Sequence, residues 1–192
     1  MKSFWTAFLL IFVAELGDKT QFMTLALSSR YKARIVLLGV TLGTMVVSLV
    51  SVALGGLLGK VIPHSLINIL AGLIFIVFGL LSLKQSKEVA AAETNKIKNT
   101  HGLIWLTIAF TFFVAELGDK TMLATIAIAS RDKNYFAVWL GSTLGLIVSN
   151  CLAIIAGKAL NKYVTGQAIH YTAAAIYIGA GILAIWHGFI GS

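Results

Sequence analysis

The residues best suited to chemistry sit in two copies of one short string. Residues 12–20 and residues 113–121 both read Phe-Val-Ala-Glu-Leu-Gly-Asp-Lys-Thr, a nine-residue identity at an offset of 101. Each copy carries a Glu and an Asp three residues apart: Glu15 and Asp18 in the first, Glu116 and Asp119 in the second. On a helix that spacing puts both carboxylates on one face. The hydroxyls of Thr20 and Thr121 lie close by. Oxygen donors of this kind suit a hard divalent cation such as Mn²⁺, Ca²⁺ or Mg²⁺. His, Cys and Met are not repeated at the motif, which argues against a copper or zinc site. Met23 and Met122 have no counterpart in the other copy and are expected to pack.

The setting of these acids makes them informative. The chain has 192 residues, 58% of them hydrophobic and 11% charged, and its mean hydropathy is +0.92. A soluble domain carries about 25% charged residues, so long apolar runs organise this chain. Four of its seven acidic residues, the motif acids, fall near the middle of predicted apolar spans. An ionised acid at a helix centre costs ~2.5–3.5 kcal/mol on insertion scales, so four unpaired ones would cost on the order of 10 kcal/mol. Such residues need a partner or a task.

Apolar runs of about 20 residues cross the hydrocarbon core, and six are expected, at 4–27, 35–58, 66–83, 103–128, 136–156 and 171–190. The repeat extends beyond the motif. Ser29-Arg30 recurs as Ser130-Arg131, and Leu38-Gly39 with Leu42-Gly43 recurs as Leu140-Gly141 with Leu144-Gly145. The expected fold is therefore an all-α membrane protein whose six transmembrane helices form two inverted-topology three-helix repeats. Residues 1–84 and 101–192 are the repeats, and 85–100 is a charged, Ala-rich cytoplasmic linker. Three spans per repeat force opposite orientations in the bilayer, which would bring the two carboxylate pairs together near the midplane.

The basic residues orient the chain and exclude one class of partner. The net charge of +8 alone would suit nucleic acid. Yet nine Lys and Arg (Arg30, Lys32, Arg34, Lys84, Lys87, Lys96, Lys98, Lys158 and Lys162) fall in loops on one side, and four fall on the other. The positive-inside rule puts the richer side in the cytoplasm and both termini outside. Nucleic-acid binding is not expected. The first apolar run reaches Glu15 without a small-residue cleavage site, so it reads as a membrane helix of the mature protein, not a signal peptide. Cys151, the one cysteine, permits no intrachain disulfide and is expected to be a packed thiol.

Lys19 and Lys120 admit two roles: a structural i,i+4 pair with Glu15 and Glu116 in each copy, or counter-charges for the acids. Four carboxylates and two ammonium groups leave two negative charges, which one divalent cation or two protons would neutralise. That equivalence is the minimum chemistry of a metal/proton antiporter. Gly17 and Gly118 are positioned to bend or unwind the helix and bare carbonyl oxygens. Ser48, Ser149 and Asn150 would either complete a coordination shell or make interhelical hydrogen bonds. The pairs Gly39/Gly43, Gly55/Gly59 and Gly141/Gly145 are small-xxx-small packing faces.

The sextets Glu15-Leu16-Gly17-Asp18-Lys19-Thr20 and Glu116-Leu117-Gly118-Asp119-Lys120-Thr121 match the pattern Glu-x-Gly-Asp-(Lys/Arg)-(Thr/Ser). In this duplication the chain resembles a family of small cation transporters that includes bacterial manganese exporters, chloroplast manganese transporters and Golgi manganese/calcium transporters. The resemblance covers both halves, the six-span layout and the linker. It implies a secondary transporter, not an enzyme, that exports Mn²⁺, with Ca²⁺ as a second substrate, in exchange for protons. It carries the metal site over to Glu15, Asp18, Thr20, Glu116, Asp119 and Thr121. No cofactor is expected, since the metal is the cargo. The short chain resembles a bacterial member of the plasma (inner) membrane, with periplasmic termini, a cytoplasmic linker, the lipid bilayer around it and a homodimer as an allowed assembly.

Two alternatives of other kinds remain at this point. An exporter of amino acids or other small solutes would need an apolar or carboxylate-binding pocket, and the spans contain no anion-binding Arg. An intramembrane aspartyl protease would need Asp18 and Asp119 close enough to share a proton, and would give the neighbouring Glu and Lys no role.

Overall fold

The computed structural model describes residues 1–82, 103–163 and 166–190. The linker at 85–100 lies outside the described residues. Eight helices account for the described fold, and no strand occurs among the described residues: α1 (Lys2–Glu15), α2 (Lys19–Ser28), α3 (Ala33–Val61), α4 (His64–Ser82), α5 (Ile104–Glu116), α6 (Lys120–Arg131), α7 (Tyr135–Tyr163) and α8 (Gly166–Ile190).

Two segments expected as single spans are each a broken pair of helices. The run at 4–27 divides into α1 and α2, and the run at 103–128 divides into α5 and α6, both at the motif. The break has a local cause. Leu16 has φ −61° and ψ 120°, and Gly17 follows at φ 77°. These are dihedrals of a type II turn, whose third residue must accept positive φ and is therefore usually Gly. The Asp18 N–H closes the turn on the Glu15 carbonyl at 3.1 Å. The second copy repeats it: Leu117 at φ −63° and ψ 119°, Gly118 at φ 74°, and Asp119 N–H on the Glu116 carbonyl at 3.1 Å. Gly17 and Gly118 are the positive-φ residues of the described chain.

Two helices, Ala33–Val61 and Tyr135–Ile155, are long and apolar enough to cross a membrane unaided, and shorter apolar helices accompany them. Breakage at the motif is why the helix pairs α1–α2 and α5–α6 fall short individually. Large apolar side chains cover the outer surface, among them Leu49, Leu57, Phe110, Ile155 and Phe189. An exposed apolar surface of this kind fits a hydrocarbon environment.

Packing is reciprocal between the halves. Helix α3 of the first half lies against α5 and α6 of the second, and α7 of the second lies against α1 and α2 of the first, while α4 pairs with α8. The glycine faces permit that closeness. A Cβ on Gly43 would stand 2.7 Å from the Ala109 carbonyl oxygen, and one on Gly141 would stand 2.5 Å from that of Phe4. Side chains of Met23, Leu27, Val36, Val40, Ile108 and Phe112 fill the space between α2, α3 and α5. Ile11, Ala14, Phe75, Ala124 and Leu146 fill that between α1, α4, α6 and α7. Each broken helix pair is thereby packed against the long helix of the opposite half.

Candidate cation site

Each turn gives its two acids different positions. Glu15 and Glu116 are the last residues of α1 and α5, and Asp18 and Asp119 are the N-caps of α2 and α6. An aspartate at a helix N-terminus is favourably placed in the field of the exposed N–H groups. A glutamate at a C-terminus is not, and it needs other support. Thr20 Oγ1 donates to Glu15 Oε1, and Thr121 Oγ1 donates to Glu116 Oε2 at 2.6 Å. The Thr of each motif thus steadies its own Glu across the break.

The lysines do something the sequence did not disclose. Lys120 Nζ lies 2.6 Å from Asp18 Oδ1, and Lys19 Nζ lies 3.5 Å from Asp119 Oδ1. Each ammonium reaches the aspartate of the other copy, so the ion pairs tie the halves together. A staple within one helix would not. The two crossed pairs differ in access: the side chains of Lys120 and Asp18 are 4% and 0% exposed, whereas those of Lys19 and Asp119 are 26% and 15% exposed.

All four acids occupy one electrostatic neighbourhood, Glu15 within Coulombic reach of Glu116, and Asp18 within reach of Glu116 and Asp119. Glu15, Asp18 and Glu116 are buried, as are Thr20 and Thr121. One buried oxygen each of Glu15 (Oε2), Glu116 (Oε1) and Asp119 (Oδ2) accepts no hydrogen bond. Buried carboxylate oxygens without donors are costly, and they are the atoms a cation would satisfy. Yet no three His, Cys, Asp or Glu side chains form a ready ligand group among the described residues. In this conformation ammonium groups stand on the aspartates, and the six motif residues are neighbours without being a closed cage.

Of the three polar residues singled out from sequence on the flanking helices, Ser149 and Asn150 are engaged in interhelical hydrogen bonds. Thr24 donates to Asn150 Oδ1 at 2.6 Å, and Gln21 Nε2 donates to the Ser149 carbonyl at 3.0 Å and to its hydroxyl. Ser48, the counterpart of Ser149, is buried with its hydroxyl unpartnered. Gln21, passed over from sequence, and Met122, expected only to pack, both cap the glycine of the turn: Gly17 N–H donates to Gln21 Oε1 at 2.8 Å, and Gly118 N–H donates to Met122 Sδ at 3.2 Å. Their position, one residue past the nine-residue identity, was the available signal.

Both halves of the chain are similar to known proteins. A family described as divalent cation/proton antiporter GDT1 matches residues 3–90 and 104–192. A GDT1-like protein of Synechocystis sp. is 28% identical over 204 residues, covering 97% of this chain and 98% of the relative. The chloroplastic protein PAM71 of Arabidopsis thaliana is 31% identical over 202 residues, covering 91% of this chain. A chloroplastic PAM71 homologue of the same plant is 28% identical over 207 residues. The chain spans 54% and 56% of the length of these two plant relatives. No solved structure matches.

Proposed function

The chain belongs to the GDT1 family of divalent cation/proton antiporters, and on that premise we propose that it exports Mn²⁺, with Ca²⁺ as a second substrate, from a bacterial cytoplasm across the inner membrane in exchange for protons. Family membership makes it an integral membrane transporter and not an enzyme. The finer reading is carried by one observation: two identical broken-helix turns whose aspartates are each neutralised by the lysine of the other copy.

The proposed cation site comprises Glu15, Asp18, Thr20, Glu116, Asp119 and Thr121, held between two inverted three-span repeats with both termini periplasmic. Broken helices place backbone dipoles and carbonyls at the point where the charges gather, an arrangement suited to ion binding within a membrane. A divalent cation entering this neighbourhood takes over the aspartates from Lys19 and Lys120 and satisfies the unpartnered carboxylate oxygens. Two protons neutralise the same net charge on the return leg. Unequal exposure of the crossed pairs supports alternating access: the Lys19–Asp119 pair is the more accessible here, and rocking of one half against the other would expose Lys120–Asp18 instead.

The test is export in cells. A bacterial strain sensitised to Mn²⁺ by loss of its own exporter should regain growth at toxic Mn²⁺ when it carries this chain. It should not when it carries Glu15→Gln with Glu116→Gln at equal membrane abundance. Full protection by that double variant would remove the proposed site.

A further inference from the structure

The two motif copies are identical through Thr20 and Thr121 and diverge at the next residue, where Gln21 stands opposite Met122. Both side chains fold back onto the glycine of their own turn. The Gln21 amide has a second end, which it gives to Ser149. A thioether has no hydrogen to give, and the equivalent Ser48 hydroxyl is buried without a hydrogen-bond partner. In the first copy the chain is closed from turn to neighbouring helix; in the second it stops at sulfur.

Met122 is placed unlike a methionine of the apolar core. Met23, a packing methionine, is 0% exposed inside the apolar cluster between α2, α3 and α5. Met122 is half-buried, and its sulfur sits on a backbone N–H within the turn that joins Glu116 to Asp119. Gly118 beside it is exposed, and a Cβ built there would meet nothing within 4 Å. The sulfur therefore lies beside an exposed glycine, at the turn whose aspartate is the more exposed of the two. A thioether has a second lone pair and is polarisable, and soft donors favour transition and post-transition ions over Ca²⁺ and Mg²⁺.

We propose that Met122 is a specificity-determining residue, a thioether donor at the second turn that biases the transported cation away from Ca²⁺ and toward softer divalent ions. The inference rests on the transport reading above and adds a ligand that the acidic residues alone would not supply. Its effect is largest for the softest ion. Cd²⁺ is therefore the probe, used as a competitor of Mn²⁺ flux.

The experiment reconstitutes the full chain, Met122→Leu and Met122→Gln in liposomes and measures Mn²⁺ flux, Ca²⁺ flux and inhibition by Cd²⁺. Leu preserves the volume without sulfur, a swap that packing usually tolerates. Gln installs the amide that the first copy carries, and it decides the question should the Leu variant fold poorly. Both are expected to need about tenfold more Cd²⁺ for half-inhibition, with a lower Mn²⁺:Ca²⁺ flux ratio than the parent. A parent that carries Mn²⁺ while Cd²⁺ potency and the ion ratio are indifferent to residue 122 overturns this inference alone. A parent that carries neither ion overturns the transport reading and this inference together.

Discussion

Lys120 of the second repeat stands 2.6 Å from Asp18 of the first, fully within the protein, while the symmetry-related Lys19 and Asp119 stand 3.5 Å apart and partly exposed. Removing one partner of a buried ion pair leaves a charge in a poor solvent and typically costs about 3–5 kcal/mol, and the cost falls as a pair gains access to water. Asp18→Asn is therefore expected to destabilise the protein by several-fold more than Asp119→Asn. Unfolding of the purified variants in detergent measures the difference. Equal losses would mean that the two pairs are equally buried in solution.

The hydroxyl of each motif threonine supports a glutamate that the helix dipole does not favour. Hydrogen bonds to charged groups contribute about 1.5–3 kcal/mol. Thr121→Val is expected to weaken Mn²⁺ transport by roughly tenfold or more, and Thr121→Ser to retain most of it, with initial flux rates as the readout.

At Gly118 the backbone demands positive φ and the space around it is open. Gly118→Ala thus adds strain without a clash, and an L-residue in the left-handed region costs ~1–2 kcal/mol. That variant should fold, lose about that much stability by thermal unfolding, and lose transport out of proportion. A variant with parental flux would show that the turn does not position the acids.

Much of this was legible in the sequence, and for definable reasons. A nine-residue identity placed four acids inside apolar runs, and both the family and the all-helical class follow from it. Glycine faces were legible too, since Gly43 and Gly141 repeat at packing intervals and do meet backbone of the other half. Division of the first and fourth runs was only half visible. A hydropathy pattern is the same whether the helix continues or turns, and only Gly17 and Gly118 hinted at the type II turns. The crossing of Lys19 and Lys120 was not visible at all, because the i,i+4 spacing to Glu15 and Glu116 offers an equally plausible local partner. Partner choice is decided by how the halves pack.

Accessibility of the two lysine positions should differ in the same sense as their exposure, 26% against 4%. On a Cys151→Ser background, Lys19→Cys is expected to react several-fold faster than Lys120→Cys with a water-soluble thiol reagent. Mn²⁺ should change the ratio if the halves rock around the site. A ratio near one, insensitive to Mn²⁺, would contradict alternating exposure of the crossed pairs.

The central claim, exchange of divalent cations for protons at the duplicated motif, is tested most directly by Mn²⁺ flux in proteoliposomes with an imposed pH gradient and a trapped metal-sensitive dye. The account predicts flux that reverses with the gradient in the parent protein and vanishes in folded Glu15→Gln. Flux that ignores the gradient, or that persists in Glu15→Gln, would contradict it.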